Sequence, residues 1–347
     1  MMKALAYRGP GLLELEERPR PHAGKGEVVL HVDACSVCGT DLRIAAGAHR
    51  AYADASGRIP GHEIAGTVVE VGAGVSAAVG DSVFVAPNYG CADCRACRRG
   101  QVNLCENLRA VGITEDGAFA EYLLLHRELV AQGNLLVVVG TADPGVVALA
   151  EPLACVLRGS RACHIAEGDV VLVYGAGPIG LLHVTLAKLA GASAVVVCEP
   201  NPERRRRAVE WGAASAHDAD HDELQAALED SGAHSGADAV IVAAPAPDAQ
   251  RQALELTAAR GRVNLFAGLP RGGPGVELDT NLIHYKELVV TGTTASTNES
   301  CRAALELIVD GRVDIASLID VRLDLASAQE AFELAGSGRV LKVVIEP

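Results

Sequence analysis

The chain has 347 residues, 49% hydrophobic and 21% charged, which excludes a disordered or fibrous chain and is enough for two cores. Its formal net charge of −14 excludes partners that require a basic face, nucleic acid and anionic membrane surfaces among them. MMKALAYRGPGLLELEE lacks the apolar core of an export signal, so the ten cysteines are expected to be reduced thiols of a cytoplasmic protein.

Residues 1 to about 130 predict short strands with glycine-rich turns, in GEVVLHVDAC, IAGTVVEVG and DSVFVAP, and no clear helix period runs through them. A β-rich domain over 1–150 is the expectation. Within it, CADCRACRRGQVNLC places Cys91, Cys94, Cys97 and Cys105 at gaps of two, two and seven residues. Four thiolates can enclose Zn²⁺ tetrahedrally and leave no position for substrate, so a structural zinc lobe is predicted at about 88–108. It holds a loop and does no chemistry.

A second set is scattered. Cys38 lies in CSVCGTD, His62 and Glu63 in PGHEIAG, and Glu151 in AEPLAC. One thiolate, one imidazole and one or two carboxylates form a mixed set with room for water or substrate, as a catalytic zinc requires. Spacing alone leaves it open, because a lone His62 also suits a core and a lone Glu151 a helix cap. Cys35 makes a C-x-x-C pair with Cys38; its apolar strand suits a buried thiol, with a redox dithiol or a metal ligand as alternatives. Cys155, one turn after Glu151, is assigned to packing.

From about residue 150 the pattern changes to apolar runs alternating with helix-length amphipathic stretches. VVLVY (170–174), PIGLLHVTLAKLA, AVVVC (194–198) and PERRRRAVEW are followed by ADAVIVAA (237–244), a helix ending near Arg260, and RVNLFAG (262–268). This alternation predicts a parallel sheet covered on both faces, a dinucleotide-binding domain over 151–290. Pro178, His183 and Lys188 interrupt the apolar stretch 170–198 and favour strand–helix–strand over a membrane span. Asn201, Pro202 and Gly212 are placed to cap, start and end one helix. Two helices and the strand RVLKVVIEP fill 291–347, a segment expected to return to the first domain.

Gly175, Gly177 and Gly180 form G-x-G-x-x-G directly after a strand, with Pro178 and Ile179 opening a helix. A second strand ends in Glu199, nineteen residues past Gly180. Glycines there let the backbone approach a pyrophosphate on the helix N-terminus, and Glu199 suits the ribose hydroxyls. A carboxylate repels a 2′-phosphate, so NAD is favoured over NADP. The basic run Arg204 to Arg207 is the opposing signal, read here as a solvated helix face.

Together these residues resemble a zinc-containing medium-chain dehydrogenase, the group that includes alcohol, sorbitol and threonine dehydrogenases. The match runs through CGTD (38–41), GHEIAGTVVEVGAGV (61–75), the cysteine lobe, YGAGPIG and RVLKVVIEP in order. The resemblance implies a GroES-like catalytic domain built from both chain ends, a Rossmann domain of doubly wound α/β type, and an active site in the cleft between them. It further implies that Cys38 and His62 are zinc ligands and that Glu63 is a ligand or a supporting carboxylate. Glu151 would be a fourth ligand or the holder of a metal-bound water. Thr40 would start a proton relay while hydride passes to the nicotinamide. Some relatives carry a histidine where Arg43 stands, so the relay beyond Thr40 is left to ribose hydroxyls or water.

Glu151 in EPLACV and HYKELVVTG (284–292) resemble the polyol branch, with threonine dehydrogenase or simple alcohol dehydrogenase as the alternative. The loop at 46–60 offers His49, Arg50, Tyr52 and Asp54 to a polar substrate. Relatives are dimers or tetramers, so a homo-oligomer is expected by analogy. A zinc-ribbon nucleic-acid binder conflicts with the charge, and a zinc-free quinone reductase has no use for Cys38, His62 and the cysteine lobe together.

Overall fold

The computed structural model describes residues 1–270 and 273–347. Two compact units divide the chain, Met1–Ala154 with Ala295–Pro347, and Cys155–Thr294. Among the described residues no helix is long and apolar enough to cross a membrane.

The first unit is organised by the strand Val28–Ser36, whose apolar run VVLHVDACS is almost wholly buried. In space the sheet runs Ile319–Asp324, Lys342–Glu346, Val28–Ser36, Glu63–Val71, Ser82–Val85, Leu135–Val137, and Tyr122–Leu125 also pairs with Val28–Ser36. Register then does the positioning. Val344 faces Ser36 on one side and Glu63 faces Ser36 on the other. Cys38, His62 and Lys342 therefore lie one or two residues from a single row across three strands. The core beside this sheet includes Ile64, Val85 and Ile345, with Phe119 edge-on to Phe332 at 5.5 Å.

The sequence shows no helix period in this region, yet a seven-residue helix, Gly39–Ala45, follows Cys38. Two turns are too short to print a period. The helix forms because Asp41 accepts the Cys38 N–H at 2.9 Å, closing a capping box.

Among the described residues the second unit holds six strands, all parallel. Their spatial order is Ser215–His217, Ala194–Cys198, Val170–Tyr174, Ala237–Val242, Thr257–Leu265, Val289–Gly292. The strand earliest in sequence lies inside the sheet, so the chain winds first one way and then the other. The reversal leaves a crevice at the carboxyl end of Val170–Tyr174, where such sheets bind ligands. Asn201 caps Pro202–Trp211 by accepting two backbone N–H groups, and Gly212 ends it with φ 112°. The helix expected to end near Arg260 stops instead at Glu255, and a strand begins at Thr257. Lys286 explains the early stop: its ammonium donates to the carbonyls of Glu255 and Thr257.

His183, on the helix Pro178–Leu189, is fully buried, and its ring stands edge-on to Phe266 at 4.8 Å. Among the described residues neither of its nitrogens has a hydrogen-bond partner, and burial pushes its pKa down to about 3. An unfolded imidazole takes a proton near pH 6.5, so the unfolded state gains a proton that the folded state refuses. The contribution of neutral His183 is thus fully present above that pH and is lost as pH falls toward about 3. Between pH 8 and pH 5 the loss is about 2 kcal/mol. His183→Leu is expected to shrink the drop in urea-unfolding free energy of this unit between those pH values by that amount, and an unchanged drop would refute it.

Candidate functional site

The site of the first unit begins with Asp41. Its carboxylate is fully buried; one oxygen caps the Cys38 N–H and the other lies 3.3 Å from His62 Nδ1. With Nδ1 turned toward a carboxylate, Nε2 is the ring nitrogen left to bind a metal. Burial alone would lower the His62 pKa, but Asp41 and Cys38 outweigh it and hold the imidazole well above its ordinary value. One donor atom each from Cys38, His62 and Glu63 lie within 4.8 Å of one another. A thiol, an imidazole with its second nitrogen beside a carboxylate, and a second carboxylate are a donor set suited to zinc.

Glu63 has a second engagement. It is fully buried, and Lys342, itself 4% exposed, donates to both of its oxygens, at 2.7 Å to Oε1, and to the Val37 carbonyl. The carboxylate outweighs the burial penalty on the ammonium and raises the Lys342 pKa. Glu151, at the start of the helix Ala150–Ala162, is also buried but does not join the three donors. It accepts from Ser296 Oγ at 3.0 Å, and Ser296 Oγ accepts from Asn88 at 2.9 Å. Thr40 Oγ1 accepts from the Arg43 guanidinium at 2.9 Å. Asp41, Lys342 and Ser296 were not singled out from sequence. Asp41 alone left a local trace, as the third residue after Cys38.

The cysteine lobe gathers all four thiols within 4.8 Å. Cys94 and Cys105 sulfurs stand 3.8 Å apart, the tetrahedron edge for metal–sulfur bonds of about 2.3 Å. Backbone N–H groups of Cys91, Cys94, Cys97 and Asn107 point at the sulfurs. Such donors pull the Cys91 thiol down to about 6, whereas burial and the neighbouring sulfurs push Cys97 up to about 12. Four thiolates this close repel one another, and a bound dication relieves that repulsion. The lobe fits zinc.

In the second unit Gly175 adopts φ 102°, and a Cβ on Gly180 would collide with the Gly175 carbonyl oxygen. Gly177 opens the helix Pro178–Leu189 without a side-chain cap, with Pro178 and Ile179 in its first turn. The turn is therefore a backbone cradle of the kind that admits a pyrophosphate. Glu199, 7% exposed, accepts the Ala176 N–H at 2.8 Å and the Asn201 N–H at 3.0 Å. It ties the glycine turn to the end of the neighbouring strand. Arg204 lies in the first turn of the next helix, its backbone N–H donating to Asn201. Cys35 is fully buried and pushed well up by burial, as its apolar strand implies.

Comparison with known proteins agrees with this geometry. Residues 24–134 match the alcohol dehydrogenase GroES-like domain, and residues 178–310 match the zinc-binding dehydrogenase domain. The chain is 36% identical to an L-threonine 3-dehydrogenase of Pyrococcus abyssi, over 99% of this chain and 97% of the relative. It is 30% identical to a sorbitol dehydrogenase of Halalkalibacterium halodurans, over 100% and 99%. A solved structure from Sinorhizobium meliloti 1021, bound to NADP, superposes with a TM-score of 0.91 at 33% identity, covering 100% and 99% of the two chains.

Two outcomes follow from the buried groups. Lys342→Met leaves Glu63 buried without its cation and should cost about 3–5 kcal/mol in unfolding free energy. Adding Glu63→Leu should restore most of it; a double variant no more stable than the single one would contradict the pairing. Cys97→Ser should remove one zinc per chain by elemental analysis and lower the melting temperature of the first unit, and two retained zincs would remove the lobe as a site.

Proposed function

Because the chain belongs to the zinc-containing medium-chain dehydrogenases, we propose that it oxidises a secondary alcohol of the polyol, sugar-alcohol or cyclitol type to a ketone with NAD. The observation that carries the reading is the gathering of Cys38, His62 and Glu63 donors within 4.8 Å, two residues from the Thr40 hydroxyl. Cys38 and His62 would hold the catalytic zinc. Glu63, already neutralised by Lys342, supports the site from behind, and Glu151, steadied by Ser296, orients water or completes the ligand set. When bound, zinc supplies Lewis acidity toward the substrate hydroxyl and NAD supplies the hydride acceptor.

The remaining steps belong to side chains. Thr40 takes the substrate proton and passes it to water or to a ribose hydroxyl. Arg43 bonds the Thr40 oxygen as a donor and has no acceptor to offer, so it steadies the relay without extending it. Gly175, Gly177, Pro178, Ile179 and Gly180 cradle the dinucleotide. Glu199 disfavours a 2′-phosphate, with Arg204 the residue that would accommodate one. Cys91, Cys94, Cys97 and Cys105 hold the structural zinc. The reading includes a cytoplasmic homodimer or homotetramer.

Likeness to a sorbitol dehydrogenase over the full length supports the polyol assignment. A second reading, oxidation of L-threonine at its hydroxyl carbon, is favoured by the 36% identity to a threonine dehydrogenase.

Zinc-loaded protein should form NADH at mildly alkaline pH with at least one polyol or cyclitol in a panel that also contains L-threonine and simple alcohols. Turnover of threonine alone would displace the polyol assignment. Thr40→Ala should cut kcat by about a hundredfold with both zincs retained. An unchanged kcat would remove Thr40 from the relay.

A further inference from the structure

Several arginines of this acidic chain meet a carboxylate, among them Arg8, Arg18, Arg98, Arg109, Arg205, Arg206, Arg251, Arg262 and Arg322. Arg43 and Arg50 do not. Both are exposed, and among the described residues neither forms an ion pair. Two guanidinium groups without an ion pair thus flank one turn, Arg43 in the last turn of the helix Gly39–Ala45 and Arg50 seven residues on, which poses the question of a shared role.

Their place supplies it. Arg43 does not swing freely; its bond to Thr40 Oγ1 anchors the exposed guanidinium beside the relay hydroxyl and uses one of its five N–H groups. Between Arg43 and Arg50 the chain turns back, with the Ala48 N–H donating to the Arg43 carbonyl. His49 follows. Its Nδ1 accepts the Ala51 N–H at 3.3 Å, which fixes the neutral ring as the tautomer whose proton is on Nε2. That leaves Nε2 a donor. The ring rests edge-on to Tyr52 at 6.4 Å, and the Tyr52 hydroxyl donates to the Gly112 carbonyl at 2.9 Å. Gly112 packs on Gly61, the residue before His62, so the loop is bolted alongside the metal-ligand turn. Burial first, and then the charges of Arg43, His62 and Arg50, keep His49 below its ordinary pKa, with Asp41 pulling the other way. Asp41 is buried and already committed to Cys38 and His62, so it does not offset the two exposed cations.

We propose that Arg43, His49 and Arg50 form a cationic rim beside the Cys38–His62 site and that the alcohol admitted there carries an anionic group, a carboxylate or a phosphate ester. This rests on the proposed oxidation and narrows its substrate to polyhydroxy acids or polyol phosphates. A neutral alditol would leave the guanidinium groups facing water. A fixed cation and a neutral N–H together suit the oxygens of one anion. The phosphates of the dinucleotide share that chemistry and are the other source of such an anion.

The test uses the zinc-loaded enzyme and pairs matched carbon for carbon: D-gluconate with D-glucitol, D-galactonate with galactitol, and D-glucitol 6-phosphate. The expected result is a higher kcat/KM for an acid or phosphate than for its neutral partner. Arg50→Gln should cut that ratio by about tenfold and His49→Phe by a smaller factor, with Arg50→Lys keeping most of it. A wild-type preference for the alditols would overturn the inference while leaving the proposed oxidation standing. So would an Arg50→Gln enzyme whose KM for NAD rises in step with the loss, because the rim would then serve the cofactor. If no compound of either class is turned over, the oxidation fails, and calorimetric binding to the enzyme with NADH decides the rim. Gluconate or glucitol 6-phosphate binding weakened about tenfold by Arg50→Gln would uphold it, and absence of anion binding would overturn it.

Discussion

A buried carboxylate must find a partner, and the first unit is arranged around that requirement. Asp41 and Glu63 are wholly enclosed beside the same imidazole. Asp41 meets it locally, through the Cys38 N–H and His62. Glu63 meets it through Lys342, which the last strand delivers by pairing with Val28–Ser36. Removing one charge from water without the other would cost several kcal/mol, a large part of the stability of a whole domain. The sheet order, with the final strand beside the strand that leads to Cys38, is the geometry that prevents it.

The nucleotide unit obeys a different constraint, closeness of backbone. Gly180 sits against the Gly175 carbonyl, so helix and strand approach to a distance that no side chain would allow. Glu199 then holds the turn through the Ala176 N–H. The carboxylate that ends one strand thus also braces the turn that ends its neighbour, and the shape of the glycine cradle depends on it.

What the sequence disclosed divides along the range of each interaction. The glycine turn, the cysteine lobe, the Asn201 cap and the strand at 170–174 are short-range patterns, and each left its signature in neighbouring residues. The parallel sheet was legible because near-continuous apolar strands alternate with amphipathic stretches. The short helix after Cys38 escaped because it is brief and stands on one capping carboxylate. The end of the helix before Thr257 was misplaced because Lys286, thirty-one residues past Glu255, terminates it. Lys342 and Ser296 were invisible as site residues because their partners are 279 and 145 positions away. Pairings across such separations are fixed by strand register, and register is a property of the folded sheet.

The long reach from Glu63 to Lys342 also has a consequence in time. A ribosome adds about 5–20 residues per second, so a span of 279 residues separates the two charges by roughly a quarter of a minute to a minute of synthesis. Throughout that interval the nascent chain holds the strand that presents His62 and Glu63, and the helix that caps Cys38, but not the cation that lets Glu63 be buried. The first unit must therefore wait, partly open, while the whole nucleotide unit is made. A discontinuous domain of this kind imposes an order on the molecule: the nucleotide unit can close first, and the metal-binding unit only when the last strand arrives.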